Sequence, residues 1–137
     1  MMKDVIISIK GSDGDENIEL MTDGRFGVKN GSYFLTYDET EMLGMGKVKT
    51  SIYVKPDSSV IMQRTGAVES RLVVEEGKRS VCAYNTDVGE LLIGISGESV
   101  KTNLTADGGD ISMKYTIDSN LKLVSHNTVK ISVRGVK

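Results

Sequence analysis

The sequence has no tryptophan, one proline (Pro56), one cysteine (Cys82), one histidine (His126) and three alanines (Ala67, Ala83 and Ala106) in 137 residues. Each scarcity excludes something. A single thiol cannot form an intramolecular disulfide, so the chain is not a disulfide-stapled scaffold and carries no mark of an oxidising compartment. One histidine and one cysteine cannot complete a zinc tetrahedron without help from scattered carboxylates. No stretch approaches the roughly 18 consecutive apolar residues of a membrane span. The N-terminal apolar run, Val5-Ile6-Ile7, is too short for a signal peptide. These absences give the expectation of a cytoplasmic protein with no cofactor, no metal and no membrane association. In that compartment the Asn-x-Ser/Thr matches at Asn30 and Asn103 have no glycosylation meaning.

What is abundant is β-branched. The chain holds 15 Val, 11 Ile and 10 Thr, a composition that favours pleated strands over helices. Its 15 glycines supply the positive φ that tight hairpins need. At 137 residues the chain is one domain, residues 1–137, able to bury roughly 68% of the surface its unfolded form exposes. Charge is uneven: residues 1–46 carry four Lys/Arg against nine Asp/Glu, and the remainder thirteen against ten, for a net of −2. Neither half has the dense cation patch that a nucleic-acid backbone requires, so no nucleic-acid partner is expected.

Short segments of alternating polarity recur about every ten residues, the spacing of a sandwich or barrel. Val5, Ile7 and Ile9 share one face of a first strand, and Val48, Thr50, Ile52 and Val54 share a face further on. Ile111, Met113, Tyr115 and Ile117 form the cleanest alternation. Asn30-Gly31 is the strongest hairpin signal, and Pro56-Asp57 and Asp107-Gly108-Gly109 read as further turns. Breaks are expected at Asp23-Gly24, which separates Asn17–Thr22 from Arg25–Lys29, and at Gly97, which closes Glu90–Ser96. Ten to twelve strands with short connections predict an antiparallel meander, and a meander of that length hides its edges best by closing. The fold class is therefore all-β, a single up-and-down barrel of about 8–12 strands.

Few motifs carry chemistry. His126 and Cys82 stand alone in strand patterns, with no Gly-x-Ser-x-Gly elbow, and a Cys82–His126 dyad would be an accident of folding. The run Ser12–Glu19 starts at calcium-loop spacing and then fails, with Ile18 at the glycine position and Gly24 at the glutamate position. Gly44-Met45-Gly46 lacks the Lys-Ser/Thr of a phosphate loop. Two features remain. Phe26, Tyr33, Phe34 and Tyr37 crowd one hairpin that runs into the acidic Asp38-Glu39-Thr40-Glu41, either a packed hairpin with a charged loop or a stacking surface. Arg64 stands in phase with Val60 and Met62, which sets its guanidinium toward the barrel interior or, at the strand end, toward solvent.

The segments Tyr37–Met42 (YDETEM), Arg64-Thr65-Gly66, Tyr84-Asn85-Thr86 with Gly89 and Leu91, and Asp107-Gly108-Gly109 with Ile111 and Tyr115 resemble, in order and spacing, the YwiB-like family of small bacterial proteins. The resemblance runs from Ile7-Ser8-Ile9-Lys10-Gly11 to the last strand. It implies a calycin-like β-barrel, the architecture of lipocalins and fatty-acid-binding proteins, in a family without an established function and without catalytic residues to carry over. The lipocalin tryptophan is missing, although Arg134 is present where an arginine would pack on it. Fold likeness alone therefore transfers no transport role.

The leading expectation is non-enzymatic binding of a small apolar or acidic ligand in or at the mouth of the barrel. Its candidate contacts are Arg64, Tyr84, Tyr115, Glu39 and Glu41, with the acidic head at Arg64 and a tyrosine hydroxyl. The competing expectation is a module that docks a protein partner through its outer surface, the oligomeric state being open. An enzyme built on the Glu39 and Glu41 carboxylates ranks last.

Overall fold

β-Branched residues at every second position commit the chain to pleated strands with one face buried, and ten such strands form. In the computed structural model, which describes residues 2–13, 16–38, 48–66, 69–86 and 89–135, they are β1 (Met2–Asp13), β2 (Glu16–Lys29), β3 (Ser32–Asp38), β4 (Val48–Val54), β5 (Val60–Gly66), β6 (Ser70–Val74), β7 (Arg79–Thr86), β8 (Gly89–Thr105), β9 (Gly108–Ser119) and β10 (Lys122–Gly135). Every strand pairs antiparallel with its predecessor, and β10 returns onto β1 from Val5↔Gly135 to Asp13↔Asn127, closing the barrel. The fold is thus the expected all-β antiparallel meander, and there is no helix among the described residues.

Two expected breaks are strand interiors. β2 runs straight through Gly24, where a Cβ would collide with the Ile7 side chain and the Thr36 carbonyl. Its glycine is there for close approach between neighbouring strands, not for a turn. β8 likewise continues through Gly97 with a bulge between Gly97 and Ser99. At Gly97 a Cβ would meet the Glu75 backbone, because the β6–β7 connection lies against β8 at that point. Gly77 N–H donates to the Gly97 carbonyl (2.9 Å), Gly97 N–H to the Lys78 carbonyl (3.0 Å), and Val100 N–H to Glu76 Oε1 (3.1 Å). Gly108 and Gly109, expected as part of a turn, already belong to β9 at φ 122° and 139°. Asn30-Gly31 is a true hairpin turn, both residues having positive φ (52° and 79°).

The register stacks the interior in rows. Tyr33, Val54, Val60 and Val74 lie side by side, and so do Phe26, Leu35, Ile52, Met62 and Leu72. Phe26 (1% exposed) stacks on Tyr33 with ring centroids 5.9 Å apart, and the Tyr33 hydroxyl donates to the Leu104 carbonyl across the barrel (2.9 Å). Val5, Ile7, Ile95, Ile111, Met113, Ile131 and Val133 complete a dense core that fills one half of the barrel. The other half, on the side of the β9–β10 turn, is not filled to the same depth.

Candidate functional site

A third row differs from the two below it. Tyr37, Thr50, Arg64 and Ser70 occupy consecutive positions across β3, β4, β5 and β6, and the Tyr84 backbone follows on β7. These residues are in phase with the apolar rows, since Tyr37 follows Leu35, Thr50 precedes Ile52 and Arg64 follows Met62. The sheet therefore turns polar groups inward at one level. Thr50 and Ser70 are buried, Tyr37 is buried and Arg64 is half-buried. The small Thr50 and Ser70 on either side of Arg64 leave its long side chain space that bulkier neighbours would occupy.

Above the apolar core Tyr37 and Arg64 of this row border a cavity of about 280 Å³. Ile52, Met62, Leu72 and Ile131 form its floor and Ile9, Leu20 and Val129 its flank; the polar groups are Arg64, Tyr37, Tyr115 and Asn127. Tyr115, 7% exposed, pairs with Asn127 on β10 and Gly97 on β8, so it enters from the wall across from Arg64. Asn127 is oriented by donating its amide N–H to Ser125 Oγ (2.9 Å). Arg64, Tyr37, Thr50 and Tyr115 each already have a polar or ring partner. Ser70 Oγ is buried without a hydrogen-bond partner. Arg64 also borders a second depression of about 310 Å³ with Gln63, Thr65, Glu69, Ser70 and Arg71, so it is approached from two sides.

Of the candidates named from the sequence, Arg64 and Tyr115 line one cavity. Tyr84 pairs through its backbone with Ser70 and Leu91, and its side chain lies outside the described part of the structure. Glu39 and Glu41 lie outside the described residues. Tyr37 was noted only among the crowded aromatics, and Thr50, Ser70 and Asn127 were not singled out as site residues. Their signal was phase alone, since Tyr37 follows Leu35 and Thr50 precedes Ile52 on the same face. The crowded aromatics divide by that same parity: Phe26, Tyr33 and Tyr37 turn inward, whereas Phe34 meets Tyr53 in a tilted pair at 4.9 Å.

The isolated reactive residues do not meet. Cys82 is buried in the core, and His126 is exposed, its Nδ1 3.9 Å from Glu98 Oε1. No cluster of three His, Cys, Asp or Glu side chains suited to a metal occurs among the described residues. No helix among them is long and apolar enough to cross a membrane.

Comparison with known proteins agrees with the architecture. The chain is 33% identical over 109 residues to the uncharacterised β-barrel protein YwiB of Bacillus subtilis (strain 168), an alignment covering 79% of this chain and 75% of that protein. The crystal structure of the B. subtilis YwiB protein superposes with a TM-score of 0.87 at 26% identity, covering 99% of this chain and 94% of that one. The family model described as a domain of unknown function (DUF1934) matches residues 4–131. Family-model match, sequence identity and shared fold together place this chain in the DUF1934 family of YwiB-like β-barrel proteins.

Proposed function

We propose that the protein binds a small acidic molecule with a compact apolar body in the open half of its barrel, as a calycin-like carrier or sensor in the cytoplasm. The observation that carries this reading is the convergence of Arg64 and Tyr115 from different walls on one apolar-floored cavity of about 280 Å³. Apolar walls with a few placed polar groups are the usual makeup of a small-molecule site. The volume falls just below the range of about 300–1,000 Å³ for such sites, which favours a medium-chain or aryl carboxylate over a long-chain fatty acid. A guanidinium has five N–H donors, so a carboxylate joins Arg64 beside its existing partner. The cytoplasmic part of the reading rests on Cys82, an unpaired thiol in the core.

A charge-assisted hydrogen bond to arginine contributes about 1.5–3 kcal/mol, so Arg64→Leu is expected to weaken binding by roughly tenfold or more. Calorimetric titration of octanoate and of an aryl acid into wild type and Arg64→Leu measures this, and native mass spectrometry of freshly purified protein reads any co-purifying acid directly. Equal affinities for the two proteins would remove Arg64 from the site. No binding of either probe, together with no adduct, would sink the reading.

A further inference from the structure

Cations gather on the outer wall at the seam where the barrel closes. In the ladder between β1 and β10, Ile6 faces Arg134, Ser8 faces Ser132 and Lys10 faces Lys130. These residues alternate with Val5, Ile7, Ile131 and Val133, which are buried in the core, so they point away from the interior. The two serines are half-buried. With Ile6 they floor a depression of about 550 Å³, with the exposed Lys10 and Lys130 at one end and the exposed Arg134 at the other. Met21, 73% exposed, stands at its side. Four residues of strand separate the two ends by about 13 Å along the backbone, so a single anion is met from opposite ends by cationic groups on long side chains.

A second observation is electrostatic. Like charges directly opposite one another in an antiparallel pair destabilise it. Lys10 and Lys130 are such a pair, and among the described residues neither they nor Arg134 are in an ion pair. The nearest carboxylates in the register stand one strand away. Glu19 and Asp23 on β2 lie beside Lys10 and Ile6, and Asp110 on β9 accepts the Ser132 hydroxyl at 2.8 Å. The cationic strip is therefore two strands wide and is bounded by carboxylates on both sides, in a chain whose net charge is −2.

We propose that this depression binds a small organic polyphosphate, with one end of its phosphate chain between Lys10 and Lys130 and the other at Arg134. A guanidinium fork matches phosphate oxygens in a bidentate manner, and paired lysines supply point charges, so the two ends suit a chain of phosphates better than a single carboxylate. Ile6 and Met21 give the organic body an apolar shelf. A nucleic-acid backbone is the weaker occupant. A strand long enough to leave the depression sideways meets Glu19, Asp23 or Asp110, and no aromatic side chain lines the depression for base stacking. The site shares no lining residue with the interior cavity, so it stands or falls independently of the ligand proposed there.

Calorimetric titration of ATP into the full chain, without divalent cations, tests the inference. ATP is expected to bind with an affinity that falls as salt rises, because the site is exposed. It is expected to bind about tenfold or more tightly than inorganic phosphate, which reaches one end only. Lys10→Gln with Lys130→Gln, and separately Arg134→Gln, are each expected to weaken ATP about tenfold or more, with circular dichroism unchanged because the three side chains are exposed. Lys49→Gln, which removes an exposed lysine from β4, is expected to leave the affinity unchanged. No binding of ATP, equal affinities for ATP and phosphate, a loss as large in Lys49→Gln as in Arg134→Gln, or a short oligoadenylate that binds more tightly than ATP would each overturn the assignment.

Discussion

Arg79 shows how much one side chain can hold. Its Nε and Nη2 donate to Asp118 Oδ2 and Oδ1 at 3.0 and 2.6 Å, crossing from β7 to β9 over Gly94, whose missing Cβ leaves the path open. Hydrogen bonds from Arg79, reinforced by the Leu121 backbone N–H, hold the Asp118 carboxyl below the usual carboxylate range despite its burial, and Asp118 in turn holds the guanidinium charge. A carboxyl depressed in the folded state binds protons less readily than in the unfolded chain. Its stabilising contribution is therefore complete above the ordinary value of about 3.9 and is lost as pH falls through the lower folded value. Urea melts should show Asp118→Asn less stable than wild type at pH 7, with the gap narrowing as pH falls below about 4. A gap of constant size across that range would refute the assignment. At this scale the sequence was partly legible. Arg64 is conspicuous as a charge in phase with Val60 and Met62, though phase alone left it between interior and solvent, and Tyr37 stood out only as one of the crowded aromatics, whereas Thr50 and Ser70 are compatible with either face and join the cavity row only through register. The Arg79–Asp118 pair spans 39 positions and has no local signature.

The strands tell a similar story at their junctions. Alternation located their centres, and Asn30-Gly31 and Pro56-Asp57 were legible as turns because they satisfy local backbone needs. Gly24 and Gly97 were misread as breaks because a glycine serving the approach of another strand looks the same in sequence as one serving a turn. The β9–β10 turn tests the difference. An L-residue in the left-handed region costs about 1–2 kcal/mol, part of which the extra freedom of glycine in the unfolded chain offsets, so Leu121→Gly should stabilise the monomeric chain by about 0.5–1 kcal/mol. Chemical denaturation of this variant beside wild type measures the difference. An unchanged or lowered stability would show that Leu121 is supported by contacts within its own chain.

Closure of the whole barrel was anticipated from strand number, but the position of the cavity was not. It depends on which rows meet at which height, a property of ten registers together. Those registers are unequal. β1 and β2 share a ladder from Met2↔Gly27 to Asp13↔Glu16, while β6 and β7 share, among the described residues, one paired position, Ser70↔Tyr84. Beyond Ser70 the β6–β7 connection is secured to β8 instead, through Glu76, Gly77 and Lys78. Hydrogen exchange should find the amides of Leu72 through Val74 and Val81 through Ala83 less protected than those of Ile7 or Ile131, because local opening takes place where few hydrogen bonds must break. Uniform protection around the ring would contradict this. A hoop under strain yields at its thinnest link while the rest keeps its shape. The thin link here runs beside Ser70 and Leu72, next to Arg64, so the wall of the barrel parts there by unzipping a single rung, with the nine other seams and the packed floor left intact.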